Sequence, residues 1–232
     1  MSSPSIVWFR DDLRLADHPA LRAALDRGEP VVGLYVLDEE SAGIRPLGGA
    51  ARWWLHHSLA SLADDLRAGG SHLVLRRGAA ASVVRSLVDD IGAGAVYWNR
   101  RYGGAERAVD TDLKDGLRAD GVEVESFAAN VLFEPWTVKT GSGTPFSVFT
   151  PFWNAARNLP APREPLPRPD EVPGLRSSPA GDDLDDWELL PTRPDWAGGL
   201  RERWQPGEAA ARARLREFLD DDLGTYDAAR DE

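Results

Sequence analysis

Up to Asn130 the chain alternates short runs that are apolar at nearly every position with longer segments whose apolar residues recur at helical spacing. The short runs fall at residues 5–9, 31–37, 72–75, 95–98 and 122–127, and their density of Val, Ile, Leu and aromatic residues predicts strands buried on both faces. The longer segments, 19–27, 49–68, 79–90 and 105–119, are rich in Ala, Leu and Arg and predict helices. No hairpin signal separates the strands, so each must return through a helix, and right-handed crossovers then build one architecture. The expected fold is α/β, a five-stranded parallel doubly wound (Rossmann-like) sheet with helices on both faces. Asp17 ahead of His18-Pro19 reads as a helix N-cap, while Gly28, Gly69-Gly70, Gly92 and Gly121 stand where left-handed C-terminal caps belong.

Beyond Pro135 the alternation stops. Residues 146–156 (FSVFTPFWNAA) are aromatic enough to pack as a short segment or helix. Residues 159–206 hold ten prolines without a sustained period, which predicts an extended connector running over a surface. A last amphipathic pattern at 207–223 puts Ala210, Leu215, Phe218 and Leu219 on one apolar face. The expected organisation is an α/β domain over 1–132, a Pro-rich connector over 133–206, and the first helix of a truncated all-α domain over 207–232.

Charge and composition then remove whole classes. Zero Cys excludes disulfides, thiolate nucleophiles and Cys-based metal sites. With no apolar run long enough for a membrane span and no signal-like start, a cytoplasmic protein without membrane contact is expected. The net charge of −11 argues against wrapping nucleic acid by bulk electrostatics, and residues 176–232 alone carry 15 acids against 8 bases.

In a doubly wound sheet a ligand sits at the carboxyl ends of the strands. Arg10, Asp12 and Arg14 follow the first strand, and Tyr35, Leu37 and Asp38 close the second. The charged trio either braces the loop as ion pairs or meets an anionic ligand; Asp38 is placed to accept hydrogen bonds from a heterocycle or ribose. Neither strand is followed by G-x-G-x-x-G or a P-loop. His56 and His57 are adjacent on a helix and point about 100° apart, a poor arrangement for one metal. Trp8, Trp98 and Trp153 lie in apolar runs and read as core. No Ser-His-Asp set or tuned carboxylate pair stands out, so no catalytic residue is assigned.

Four of these segments and the end of the chain resemble one family. Residues 6–21 (IVWFRDDLRLADHPAL), 31–38 (VVGLYVLD), 95–102 (AVYWNRRY) with Glu106, Arg107 and Asp110, 146–155 (FSVFTPFWNA), and 207–212 with 226–231 resemble, in order, motifs of the photolyase and cryptochrome family. The resemblance implies an N-terminal α/β domain holding an antenna chromophore, such as methenyltetrahydrofolate or a deazaflavin or flavin, and a larger helical domain holding FAD and docking damaged DNA. In photolyases the light-excited reduced flavin donates an electron to a pyrimidine dimer, the cyclobutane ring opens, and the electron returns.

Carried over by position, Tyr226 matches an FAD contact, Arg230 a DNA-phosphate contact, and Glu106 a glutamate that bonds a pterin. Arg10, Tyr35, Leu37 and Asp38 mark the strand edge of a flavin-type antenna. Ala105 stands where the folate pattern has Asn, and Arg45 lies near where it has His, departures that count against folate; a flavin or deazaflavin antenna near Tyr35 to Asp38 and an empty site both stay open. The expected function is the N-terminal antenna part of a deoxyribodipyrimidine photolyase, monomeric and inactive by itself, with damaged DNA met through the missing helical domain. A cryptochrome photoreceptor fragment and a non-catalytic chromophore- or partner-binding module are the alternatives.

Overall fold

A computed structural model describes residues 3–230. Five parallel strands, β1 (Ser5–Phe9), β2 (Val31–Leu37), β3 (Leu73–Arg77), β4 (Ala95–Asn99) and β5 (Glu123–Phe127), form one sheet in the order β3-β2-β1-β4-β5. Helices α1 (Pro19–Asp26), α2 (Gly49–Ala68), α3 (Ala80–Ile91) and α4 (Gly104–Ala119) make the crossovers. The doubly wound sheet expected from the apolar pattern is the fold observed.

Alternation along β1 sorts the core into two layers. Ile6 and Trp8 face Val84, Leu87, Leu113 and Leu117 of α3 and α4. Val7 and Phe9 face Leu21, Leu62 and Leu66 of α1 and α2. The order reverses between β1 and β4, which opens a crevice at their carboxyl ends.

Several local expectations are corrected. The N-cap of α1 is His18, not Asp17: the His18 Nδ1 accepts from the Leu21 N–H at 3.0 Å, while Asp17 takes a positive φ of 49°. His18 can cap because Pro19 holds the first helical position and needs no partner for a missing N–H. β5 is buried on one face only, since Val124 and Ser126 point inward and Glu123 and Glu125 outward, as suits an edge strand that must not pair with another chain. β3 ends at Arg77, two residues beyond the apolar run, because its last two positions pair with Val36 and Leu37 of β2.

The proline-rich connector is built into the body as well as lying over it. Val172, Trp187 and Leu189 are buried, and the Val172 and Gly174 N–H groups donate to Gly69 and Gly70 at the end of α2. Asp182 donates its N–H to the Leu75 carbonyl, so the connector covers the outer edge of β3. By contrast α5 (Phe149–Ala156) stands out into solvent: Trp153, expected in the core, is half exposed and stacks on Phe149 with ring centroids 6.4 Å apart. The chain goes on through α6 (Gly198–Arg203) and α7 (Glu208–Glu217), passes a looser helical stretch, and closes on α8 (Tyr226–Ala229). Leu215 and Leu219, on the apolar face read from the sequence, are exposed.

Candidate functional site

Four charged or polar residues tie the end of β1 to β4 and α1. The Asp12 carboxylate accepts from the Arg10 N–H at 2.9 Å and from the Asn99 Nδ2 at 2.6 Å, and lies 3.0 Å from the His18 Nε2. Since the His18 Nδ1 is already an acceptor, the ring proton belongs on Nε2, facing that carboxylate. Burial alone would push the Asp12 carboxyl up; the His18 contact and the Arg10 N–H and charge outweigh it and hold the carboxyl well below the usual range.

Arg10 is equally committed. Its guanidinium bonds Asp110 at 2.7 Å and the Asn99 carbonyl, and lies 4.5 Å from the Trp8 ring centroid. Burial lowers its pKa and the Asp110 charge pushes back, a contest without consequence near neutrality because Arg stays protonated. Arg14 bonds three carbonyls, those of Ala16, Asp17 and Ala129. Of the two readings open for this trio, bracing of the loop is the one the geometry takes.

The braced loop is one wall of a cavity of about 900 Å³. Tyr35 of β2, Leu47, Trp54 and Leu55 around the start of α2, Arg168 of the connector and Leu215 of α7 complete it. Burial, with help from the Asp11 charge, drives the Tyr35 hydroxyl far above its ordinary value, so it stays protonated and can both donate and accept. Large, mostly apolar and edged with guanidinium groups, this space can enclose a planar aromatic ring and leave its polar tail among cations.

A second cavity of about 490 Å³ occupies the crevice between β1 and β4. Arg100, Arg101, Tyr102, Glu106 and Asn130 line it, and Asp11 and Arg14 separate it from the first. The Arg101 Nε is buried without a hydrogen-bond partner, and its guanidinium lies 5.5 Å from the Trp8 ring centroid. The Glu106 carboxylate folds back against Gly103, where a Cβ at 103 would overlap it.

The structure therefore divides the residues singled out from the sequence. Arg10 and Tyr35 share the larger cavity, and Glu106 stands in the smaller one. Leu37 is behind the cavity wall, packed with Leu55, Leu59 and Trp187. The Asp38 carboxylate is occupied by the backbone N–H groups of Glu40, Ser41 and Ala80, so it shapes the strand end. Tyr226 and Arg230 belong to neither cavity; Tyr226 meets Phe218 edge-on and is half exposed. His57 packs against Trp53, and His56 is 3.9 Å from Asp185.

Three contributors carry little or no signal in the sequence: Asp110 and Glu208, visible there only as parts of motifs, and Arg168. Asp110 falls one helical turn after Glu106, a weak hint; nothing local marks Arg168.

The family model for DNA photolyase matches residues 5–170. A deoxyribodipyrimidine photo-lyase of Agrobacterium fabrum is 45% identical over 230 residues, covering 99% of this chain and 47% of that protein. The crystal structure of a bacterial class III photolyase from Agrobacterium tumefaciens superimposes with a TM-score of 0.94 at 43% identity, over 100% of this chain and 47% of that one. Cryptochrome-1 of Arabidopsis thaliana is 41% identical over 172 residues, 72% of this chain and 25% of its own. The chain spans about half the length of the photolyases it matches. Its sheet order, its braced strand ends and these matches agree, and the chain belongs to the DNA photolyase family.

Proposed function

We propose that the chain is the antenna-bearing N-terminal half of a deoxyribodipyrimidine photolyase, an enzyme that uses light and FAD to open pyrimidine dimers in DNA, and that these residues by themselves repair nothing. The observation that carries the reading is the 45% identity running through 99% of the chain to a photo-lyase. The larger cavity supports an antenna role: Tyr35, Trp54 and Leu55 can flank a flavin-like ring while Arg168 and Arg212 meet anionic substituents. Glu106, in the smaller cavity, is the residue available to a pterin. The antenna absorbs light, and this chain's part is to hold the ring fixed and away from water.

For FAD the fit is poor among the described residues. Tyr226 lies on a short exposed helix and no enclosure surrounds it, so these residues supply no cradle for flavin chemistry. FAD and damaged DNA belong, in this proposal, to a helical half of the kind the family resemblance implies, with Tyr226 and Arg230 at its threshold. The protein is proposed to act as a cytoplasmic monomer. The Arabidopsis match favours a second reading, a cryptochrome-like photoreceptor half.

The test is photorepair of a dimer-containing oligonucleotide by the 232-residue chain and by the same chain joined to the remaining half of the Agrobacterium photolyase. Light-dependent loss of dimers is expected from the joined protein alone. Repair by the chain alone would overturn the proposed division of labour. An FAD-loaded joined protein without repair would favour the cryptochrome reading.

A further inference from the structure

We infer that Glu208 is a positioning residue for the larger cavity: it fastens α7 to the loop after β1 and thereby sets the cavity's outer wall. A glutamate in the first turn of a helix ordinarily stays in water and favours its own helix terminus. Glu208 does otherwise. It is only 7% exposed, and its two oxygens accept backbone N–H groups from a distant loop, Leu15 at 2.7 Å and Ala16 at 3.2 Å. Arg168 and Arg212 each approach within 3.8 Å, and Arg168 also bonds Asp65 of α2 at 2.7 Å. One carboxylate thus joins α7, the connector, α2 and the loop that braces β1.

The preceding residue makes the approach possible. Gly207 has φ of 111°, and a Cβ there would stand 2.6 Å from the Ser61 Oγ on α2. A side chain at 207 would both strain the backbone and push the helix away.

What else holds α7 is slight. Leu215 is 56% exposed, although it faces the cavity together with Ala211 and Arg212. With so little apolar burial the position of the helix depends on the buried, charge-assisted bonds at its first residue. Any ligand that touches both α7 and the α2 wall must then favour the docked helix, and the docked helix must favour the ligand by the same factor. None of these contacts depends on which chromophore, if any, the cavity holds.

Amide hydrogen exchange on the full 232-residue chain tests the positioning role without a ligand, comparing wild type with Glu208→Gln and Glu208→Ala. Loss of the buried carboxylate should speed exchange about tenfold or more at Leu15, Ala16 and across α7, while β1 and β4 stay within about twofold of wild type. The side-chain amide introduced by Glu208→Gln keeps only one acceptor oxygen, so that variant should fall between the other two. Exchange at Leu15, Ala16 and α7 within about twofold of wild type in either variant would overturn the inference, as would an equal acceleration in the sheet. Should Glu208→Ala not fold, the nearly isosteric Glu208→Gln variant decides alone.

Discussion

Replacing Asp12 by alanine tests the brace that shapes both cavities. The carboxylate serves two buried donors, the Arg10 N–H and the Asn99 Nδ2, and faces the His18 ring. With Asp12 itself 3% exposed and Asn99 1%, water cannot readily replace it. A buried donor left unpaired costs about 1–3 kcal/mol, so the two donors and the lost His18 contact together should cost about 3–5 kcal/mol. For a chain of this size each kcal/mol moves the melting midpoint by about 2–4 °C, so a fall of roughly 10 °C is expected. Asp12→Asn, which keeps one acceptor oxygen but turns a donor toward other donors, should lose less than alanine.

The pH dependence follows from the lowered pKa of the Asp12 carboxyl. A depressed folded-state pKa contributes stability that is complete above the unfolded value, about 4, and is lost as the pH falls from there toward the folded value. The gap between wild type and Asp12→Asn should therefore be widest near neutrality and narrow below about pH 4. Urea unfolding at neutral and at acid pH measures both effects. A loss below about 1 kcal/mol for alanine at neutral pH, or a gap that does not close in acid, would refute the reasoning.

Other substitutions probe separate parts of the molecule. Asp110→Ala strands the buried Arg10 guanidinium and should cost about 3 kcal/mol in denaturant unfolding. Gly33→Ala would put a Cβ 2.8 Å from Leu66 Cδ1 and 3.2 Å from the His72 carbonyl oxygen; thermal melts should show a loss of about 1–3 kcal/mol. Trp153→Ser with Phe149→Ser removes only solvent-facing rings and should leave the unfolding free energy of this chain within about 0.5 kcal/mol of wild type, whereas a large loss would restore Trp153 to the core. Trp54→Ala, removing a ring from the wall of the larger cavity, should weaken binding of flavin mononucleotide in equilibrium dialysis more than binding of methenyltetrahydrofolate if the two cavities serve different rings.

The sheet was legible because β1, β2 and β4 are buried deeply enough to need apolar residues with little interruption. Trp8 and Trp98 are core for the same reason. That reasoning failed at β5, where an edge strand needs only one apolar face, and at Trp153, where an aromatic run lies on the outside. Composition cannot tell a buried aromatic helix from an exposed one. The cap of α1 was misplaced by one residue because Asp is the more usual cap, while His18 could serve both the helix and Asp12.

The site was less legible. Arg10 and Tyr35 fall at strand ends, which topology alone brings to the ligand edge. Their partners are set by tertiary contact: Asp110 lies 100 residues from Arg10, and Glu208 lies 193 residues from Leu15. No local pattern announces such a pair. Asp38 shows the converse, a carboxylate at the right strand end whose acceptors are already taken by backbone.

The most direct test of the antenna claim is the absorption spectrum of the purified chain, followed by extraction of whatever absorbs. The account predicts a band between the near ultraviolet and the blue that extracts as a folate, flavin or deazaflavin. A spectrum with nothing beyond the tryptophan band, unchanged after incubation with methenyltetrahydrofolate or flavin mononucleotide and desalting, would contradict it.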